Sequence, residues 1–192
     1  MTILNETCIA IKQWLDMGLE PPRVSVNISR KNLFVPDIEA EIIDIINKNG
    51  LETSRIEIEI TESAQEEEFN RLIDFLAKLK NQGLCISIDD FGTGYSSLSL
   101  INRINADIIK IDKSFVGSML NDKKSSMLIE TIIQIAKRLD METIAEGVEI
   151  ADEGKALIEL GCVNAQGYYY SKPVDFETAA RIIKEKSFKP IS

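Results

Sequence analysis

Short runs in which apolar and polar residues alternate are separated along this chain by longer stretches with an apolar residue at every third or fourth position. The first pattern predicts strands and the second amphipathic helices. Strands are predicted at about residues 23 to 29, 55 to 61, 84 to 90, 107 to 112, 141 to 146 and 162 to 168. Between them, Phe69, Leu72, Ile73, Leu76 and Leu79 form one helical stripe, and Leu128, Ile132, Ile135, Ala136 and Leu139 another. Gly50, Gly83 and Gly161 fall where helices should stop, and Pro21-Pro22 precedes the first strand. Strands alternating with helices imply an α/β fold around a parallel sheet. No linker or low-complexity stretch interrupts the pattern, so one domain is expected over residues 1–192, with a polar tail at 184–192 that should fray.

An eight-unit β/α barrel takes about 250 residues, roughly 30 per unit. Six units in 192 residues therefore match three quarters of a (β/α)8 TIM-like barrel, and the expectation is an incomplete barrel lacking its first two strands. The edges left open would invite pairing with another chain, as a homodimer or strand-swapped oligomer. The alternative, an open doubly wound sheet, usually reads a nucleotide through a Gly-rich first turn, and no GxGxxG or Walker loop occurs here.

The strands are not uniformly apolar, as helix-covered parallel strands should be. In RIEIEIT, Ile56, Ile58 and Ile60 share one face, and Glu57, Glu59 and Thr61 the other. The same phase sets Val24, Val26 and Ile28 against Ser25, Asn27 and Ser29, and Ile109 and Ile111 against Lys110 and Asp112. Apolar faces suit the helix layer, so polar groups converge on the interior, where charges need partners or a metal. Barrel active sites lie at the C-terminal strand ends, and Asn27, Glu59, Asp89, Asp90, Glu146 and Gln166 lie near those ends. Carboxylate and amide oxygens with a single Lys suit Mg²⁺ or Mn²⁺. Asp89 beside Asp90 could let one carboxylate bridge two ions, the arrangement of two-metal phosphoester hydrolysis.

Composition narrows the chemistry further. The chain has no His, which excludes Ser/His/Asp triads, Cys/His nucleophiles and His-based metal sites. A net charge of −9 argues against DNA or RNA as a partner, since backbone binding relies on Lys and Arg. Cys8, Cys85 and Cys162 are too dispersed for a CxxC pair and read as reduced core thiols. No apolar run is long enough to cross a bilayer and the start lacks a signal-peptide pattern, so a cytoplasmic protein is expected.

Six strings carry a family resemblance: Val26-Asn27-Ile28-Ser29, Glu59-Ile60-Thr61-Glu62, Asp89-Asp90-Phe91-Gly92-Thr93-Gly94-Tyr95-Ser96-Ser97-Leu98, Ile109-Lys110-Ile111-Asp112, Ala145-Glu146-Gly147-Val148-Glu149, and Gln166-Gly167-Tyr168-Tyr169-Tyr170-Ser171-Lys172-Pro173. In this order they resemble the EAL family of cyclic di-GMP phosphodiesterases over nearly the whole chain. The resemblance implies hydrolysis of cyclic di-GMP to linear pGpG with two Mg²⁺ or Mn²⁺ ions. It implies Asn27, Glu59 and Asp89 as ligands of one ion, and Asp89, Asp90 and Glu146 as ligands of the other. Lys110 would orient the attacking water. Glu62 would steady the loop after Asp90, Glu149 and Gln166 would position water or ligands, and Asp112 and Gln166 would meet substrate.

The pattern departs from the family at the front. The family's Glu-Ala-Leu motif and the arginine after it precede the helix containing Trp14, and this chain begins inside that helix. Asn32 also stands where Gln is more usual. The expectation is an impaired phosphodiesterase, with a noncatalytic cyclic di-GMP-binding or dimerisation module as the alternative. A glycosidase using Glu59 and Glu146 would fit a barrel, but leaves Asp89, Asp90 and Lys110 without roles.

Overall fold

The computed structural model describes residues 1–29, 32, 35–61, 66–93 and 101–185. Among these residues six strands form one sheet in the order in which they occur in the chain: β1 (Val24–Asn27), β2 (Ile56–Thr61), β3 (Cys85–Phe91), β4 (Ile108–Ile111), β5 (Glu142–Ala145) and β6 (Asn164–Ala165). Every neighbouring pair is parallel. Helices alternate with them: α1 (Thr2–Asp16), α2 (Ile38–Lys48), α3 (Glu66–Asn81), α4 (Lys113–Val116), α5 (Lys123–Arg138), α6 (Ala151–Leu160) and α7 (Phe176–Glu185). Sequential order is that of a barrel wall, whereas a doubly wound sheet reverses direction at a switch point. The sheet curls into an incomplete (β/α)8 barrel, with β1 and β6 each paired on one side only among the described residues.

The period-two reading of β2 holds: Ile56, Ile58 and Ile60 pack into the core between sheet and helices, while Glu57 and Glu59 are buried on the other face. On β1 and just past it, Val26 and Ile28 are buried but Ser25 and Asn27 are exposed, because β1 lies at the sheet's edge. Gly50, Gly83 and Gly161 all adopt positive φ just past a helix, so the predicted stops are backbone reversals.

Two expectations are corrected. The core face of α5 runs through Ser125, Ile129, Ile132, Ile133 and Ala136, while Leu128 is 47% and Leu139 51% exposed. The buried stripe keeps Ile132 and Ala136 of the predicted one but is centred about 60° further round the helix. Leu139 lies past the last helical residue, at the C-cap. The last strand is also much shorter than predicted, Asn164–Ala165, and Gly167 beyond it packs so closely on the Val148 backbone that a Cβ would not fit. Phe69 and the tail beyond Glu185 lie outside the described side chains. Cys8, Cys85 and Cys162 are free and buried, as the sequence suggested. Among the described residues, no helix is long and apolar enough to cross a membrane.

Candidate active site

At the C-terminal ends of the strands, backbone hydrogen bonds prolong the ladder past the strands and fix the residues that carry the polar groups. Ile28 N–H donates to the Glu59 carbonyl at 3.0 Å, Glu146 N–H to Ile111 at 3.0 Å, and Gln166 N–H to Ala145 at 2.8 Å. The loops after β5 and β6 are joined as well, Val148 N–H donating to Gln166 at 3.1 Å and Tyr169 N–H to Val148 at 2.9 Å. The site therefore rests on rigid backbone.

Two adjacent residues in a regular strand point to opposite faces. Asp89 and Asp90 nevertheless share one site, because the register of β3 against β4 shifts between Ile88 and Phe91 and Asp90 takes φ 53°. This bulge turns both carboxylates inward. Oxygens of Asp89, Asp90 and Glu146 lie within 4.8 Å of one another, and all three residues are half-buried.

The electrostatics of the cluster follow from that crowding. Burial, reinforced by the Glu146 charge, raises the Asp89 pKa above its ordinary value. Burial, then Asp89 and Asp112, raises that of Asp90. For Asp112 burial acts in the same direction, but hydrogen bonds from Ser114 and from Asp90 outweigh it and the pKa falls. Asp112 caps α4, accepting from the Ser114 N–H at 2.9 Å.

Lys110, 3% exposed, is the cation at the centre. Its Nζ pairs with Glu59 Oε1 and lies 3.2 Å from Glu146 Oε1. Asn27 Nδ2 donates to the other Glu59 oxygen at 2.8 Å, and Gln166 Nε2 donates to Glu146 Oε1 at 2.7 Å. Residues from five strands or strand ends are thus joined in one network: Asn27 to Glu59, Glu59 to Lys110, Lys110 to Glu146, Glu146 to Gln166, with Asp89 and Asp90 beside Glu146. The donor set fits a hard divalent cation, since it consists of crowded oxygens whose mutual repulsion a cation would relieve.

Glu149 is exposed and lines a cavity of about 660 Å³ that also takes in Trp14, Glu146, Gln166 and Tyr168. Glu62 lies outside the described residues. Sequence reasoning missed Glu153, which is 6% exposed and accepts the N–H groups of Glu149 at 2.8 Å and Ile150 at 3.2 Å. Its position three residues after the N-cap is the local signal of a capping glutamate. Sequence reasoning also missed Lys113, which lines the same cavity.

Comparison with known proteins follows the same lines. The model of the family described as EAL domain matches residues 1–173. The chain is similar to the signaling protein YkoW of Bacillus subtilis, 36% identical over 184 residues, which is 96% of this chain and 23% of YkoW. It is 31% identical over 175 residues to the bifunctional diguanylate cyclase/cyclic di-GMP phosphodiesterase MucR of Pseudomonas aeruginosa, covering 91% of this chain and 26% of MucR. The structure of the PaMucR phosphodiesterase in complex with c-di-GMP superposes with a TM-score of 0.85 at 31% identity, over 92% of this chain and 71% of that one. Klebsiella pneumoniae BlrP1, in a manganese and cy-diGMP complex, gives a TM-score of 0.79 at 28% identity, over 88% of this chain and 44% of that one. The chain spans about a quarter of the length of these curated relatives.

Proposed function

The chain belongs to the EAL domain family, and on that premise we propose that it binds cyclic di-GMP and opens one of its phosphodiesters to give linear pGpG, at a site for two divalent cations. The observation that carries this reading is the convergence of Asp89, Asp90 and Glu146 beside a buried lysine at the C-terminal ends of the strands. In this reaction a water oxygen forms a new bond to phosphorus, one P–O ester bond breaks, and the leaving oxygen gains a proton.

Asn27, Glu59 and Asp89 would hold one cation, and Asp89, Asp90 and Glu146 the other; Mg²⁺ or Mn²⁺ suits these oxygen donors. When bound, such ions supply the positive charge that attracts a phosphodiester and acidifies water. Lys110, paired with Glu59 and Glu146, would orient the attacking water. Gln166 fixes the orientation of Glu146, and ligand partners of this kind set ligand geometry. Glu149 sits where it can receive a proton or order water at the cavity wall, and Asp112, tied to Ser114 and Asp90, would border the substrate. Glu62 would steady the loop after Asp90. The manganese complex of BlrP1 supports divalent metal use in the family.

A second reading, a module that binds cyclic di-GMP or dimerises without turnover, is favoured by one observation. Both Glu59 oxygens are already engaged, by Lys110 and Asn27. Self-association through the one-sided edges of β1 and β6 belongs to either reading, and light scattering reads it directly. Titration calorimetry with cyclic di-GMP, with and without Mg²⁺ or Mn²⁺, combined with an assay for pGpG, separates the two. Metal-dependent binding with pGpG release is expected; binding without product establishes the second reading, and no binding refutes both nucleotide-binding readings and leaves only dimerisation, which light scattering decides.

A further inference from the structure

Lys110 is not free to receive a phosphate, since it is buried and shared between Glu59 and Glu146. Three residues further on, Lys113 is exposed and lines the cavity together with Glu146, Glu149 and Gln166. No salt bridge holds it among the described residues. Its position is not left to chance. The loop carrying Glu146 lies directly on its stem: Gly147, at φ +70°, has no room for a side chain, because a Cβ there would come within 2.4 Å of the Lys113 Cβ. The Lys113 charge is felt at Asp90, where it opposes the upward shift of that carboxyl.

Charge balance supplies the second argument. Two divalent ions would offset Glu59, Asp89, Asp90 and Glu146, leaving little positive charge for a ligand that carries two phosphodiesters. We propose that Lys113 is a substrate anchor that contacts a phosphate oxygen of the cyclic dinucleotide, a proposal that rests on the functional reading above. An exposed ammonium at the rim of a cleft can do this at small desolvation cost and steers an anion inward.

The test is titration of the full chain with cyclic di-GMP in the presence of Mn²⁺, alongside titration with Mn²⁺ alone. Lys113→Met, which keeps the stem against Gly147, should weaken nucleotide binding about tenfold, leave Mn²⁺ affinity within about twofold and flatten the salt dependence of nucleotide binding. Lys113→Arg should retain most of the affinity. Lys48→Ala, an equal charge change on α2, should change nothing. Nucleotide affinity unaltered in Lys113→Met, or lost equally in Lys48→Ala, overturns the assignment of Lys113 alone. A wild-type chain that binds no cyclic di-GMP overturns the functional reading and this inference with it.

Discussion

Replacing Lys110 by Met removes the cation that, among the described residues, pairs with Glu59 and Glu146, while nearly preserving side-chain volume. The Lys110 and Glu59 side chains are 4% and 5% exposed, so Glu59 would be left buried with, among the described residues, only the Asn27 amide for a partner. Coulomb attraction to Glu146 across 3.2 Å amounts to about 5 kcal/mol at an effective dielectric constant of about 20. Desolvation of the lysine in the wild type offsets part of this. The net cost of orphaning a buried charge is about 3–5 kcal/mol, a large share of the stability of an ordinary domain. Urea unfolding followed by circular dichroism should show that loss as a lower midpoint at unchanged slope. The double variant Glu59→Gln with Lys110→Met should recover at least half of it, because the uncompensated charge is gone while Asn27 keeps a hydrogen-bond partner. A single variant within about 1 kcal/mol of wild type, or a double variant as unstable as the sum of the singles, would refute the reasoning.

Asp90→Asn should raise the melting temperature of the metal-free chain by relieving repulsion within the cluster, and shrink the further rise produced by Mn²⁺; thermal unfolding with and without Mn²⁺ reads both. Gly147→Ala should destabilise by more than Gly50→Ala in urea. Both sites have positive φ, which costs about 1–2 kcal/mol with a side chain, but only Gly147 also collides with a neighbour. Cys85 and Cys8, with pKa values pushed up by burial to about 12 and about 11, should resist thiol reagents at pH 8 until urea unfolds the chain, and labelling at the native-state rate of a free peptide would show that they are exposed.

Much of the architecture is written locally. Alternation with period two marks the strands and assigns Glu57 and Glu59 to the face opposite Ile56, Ile58 and Ile60, because side-chain direction in a strand depends only on the backbone pleat. Glycines past the helix ends mark where the chain reverses. The core face of α5 shares Ile132 and Ala136 with the predicted stripe but departs from it elsewhere, for a related reason. Its Leu128 and Ile129 are equally apolar, and the choice between them lies in the sheet against which the helix packs, not in the helix itself.

What the sequence determined by itself is the set of polar residues and the strand ends that carry them, since periodicity and turn chemistry are properties of neighbouring residues. Tertiary structure decided how those residues meet. Asp89 and Asp90 face the same way only because pairing with β4 shifts register between Ile88 and Phe91. Lys110 meets Glu59 and Glu146, distant along the chain, only because sequential parallel pairing brings β2, β4 and β5 to one end of a curled sheet. Lys113 acquires its place only when the loop at Gly147 closes over its stem. Contacts of this kind depend on the register and curvature of the whole sheet, which no local pattern encodes.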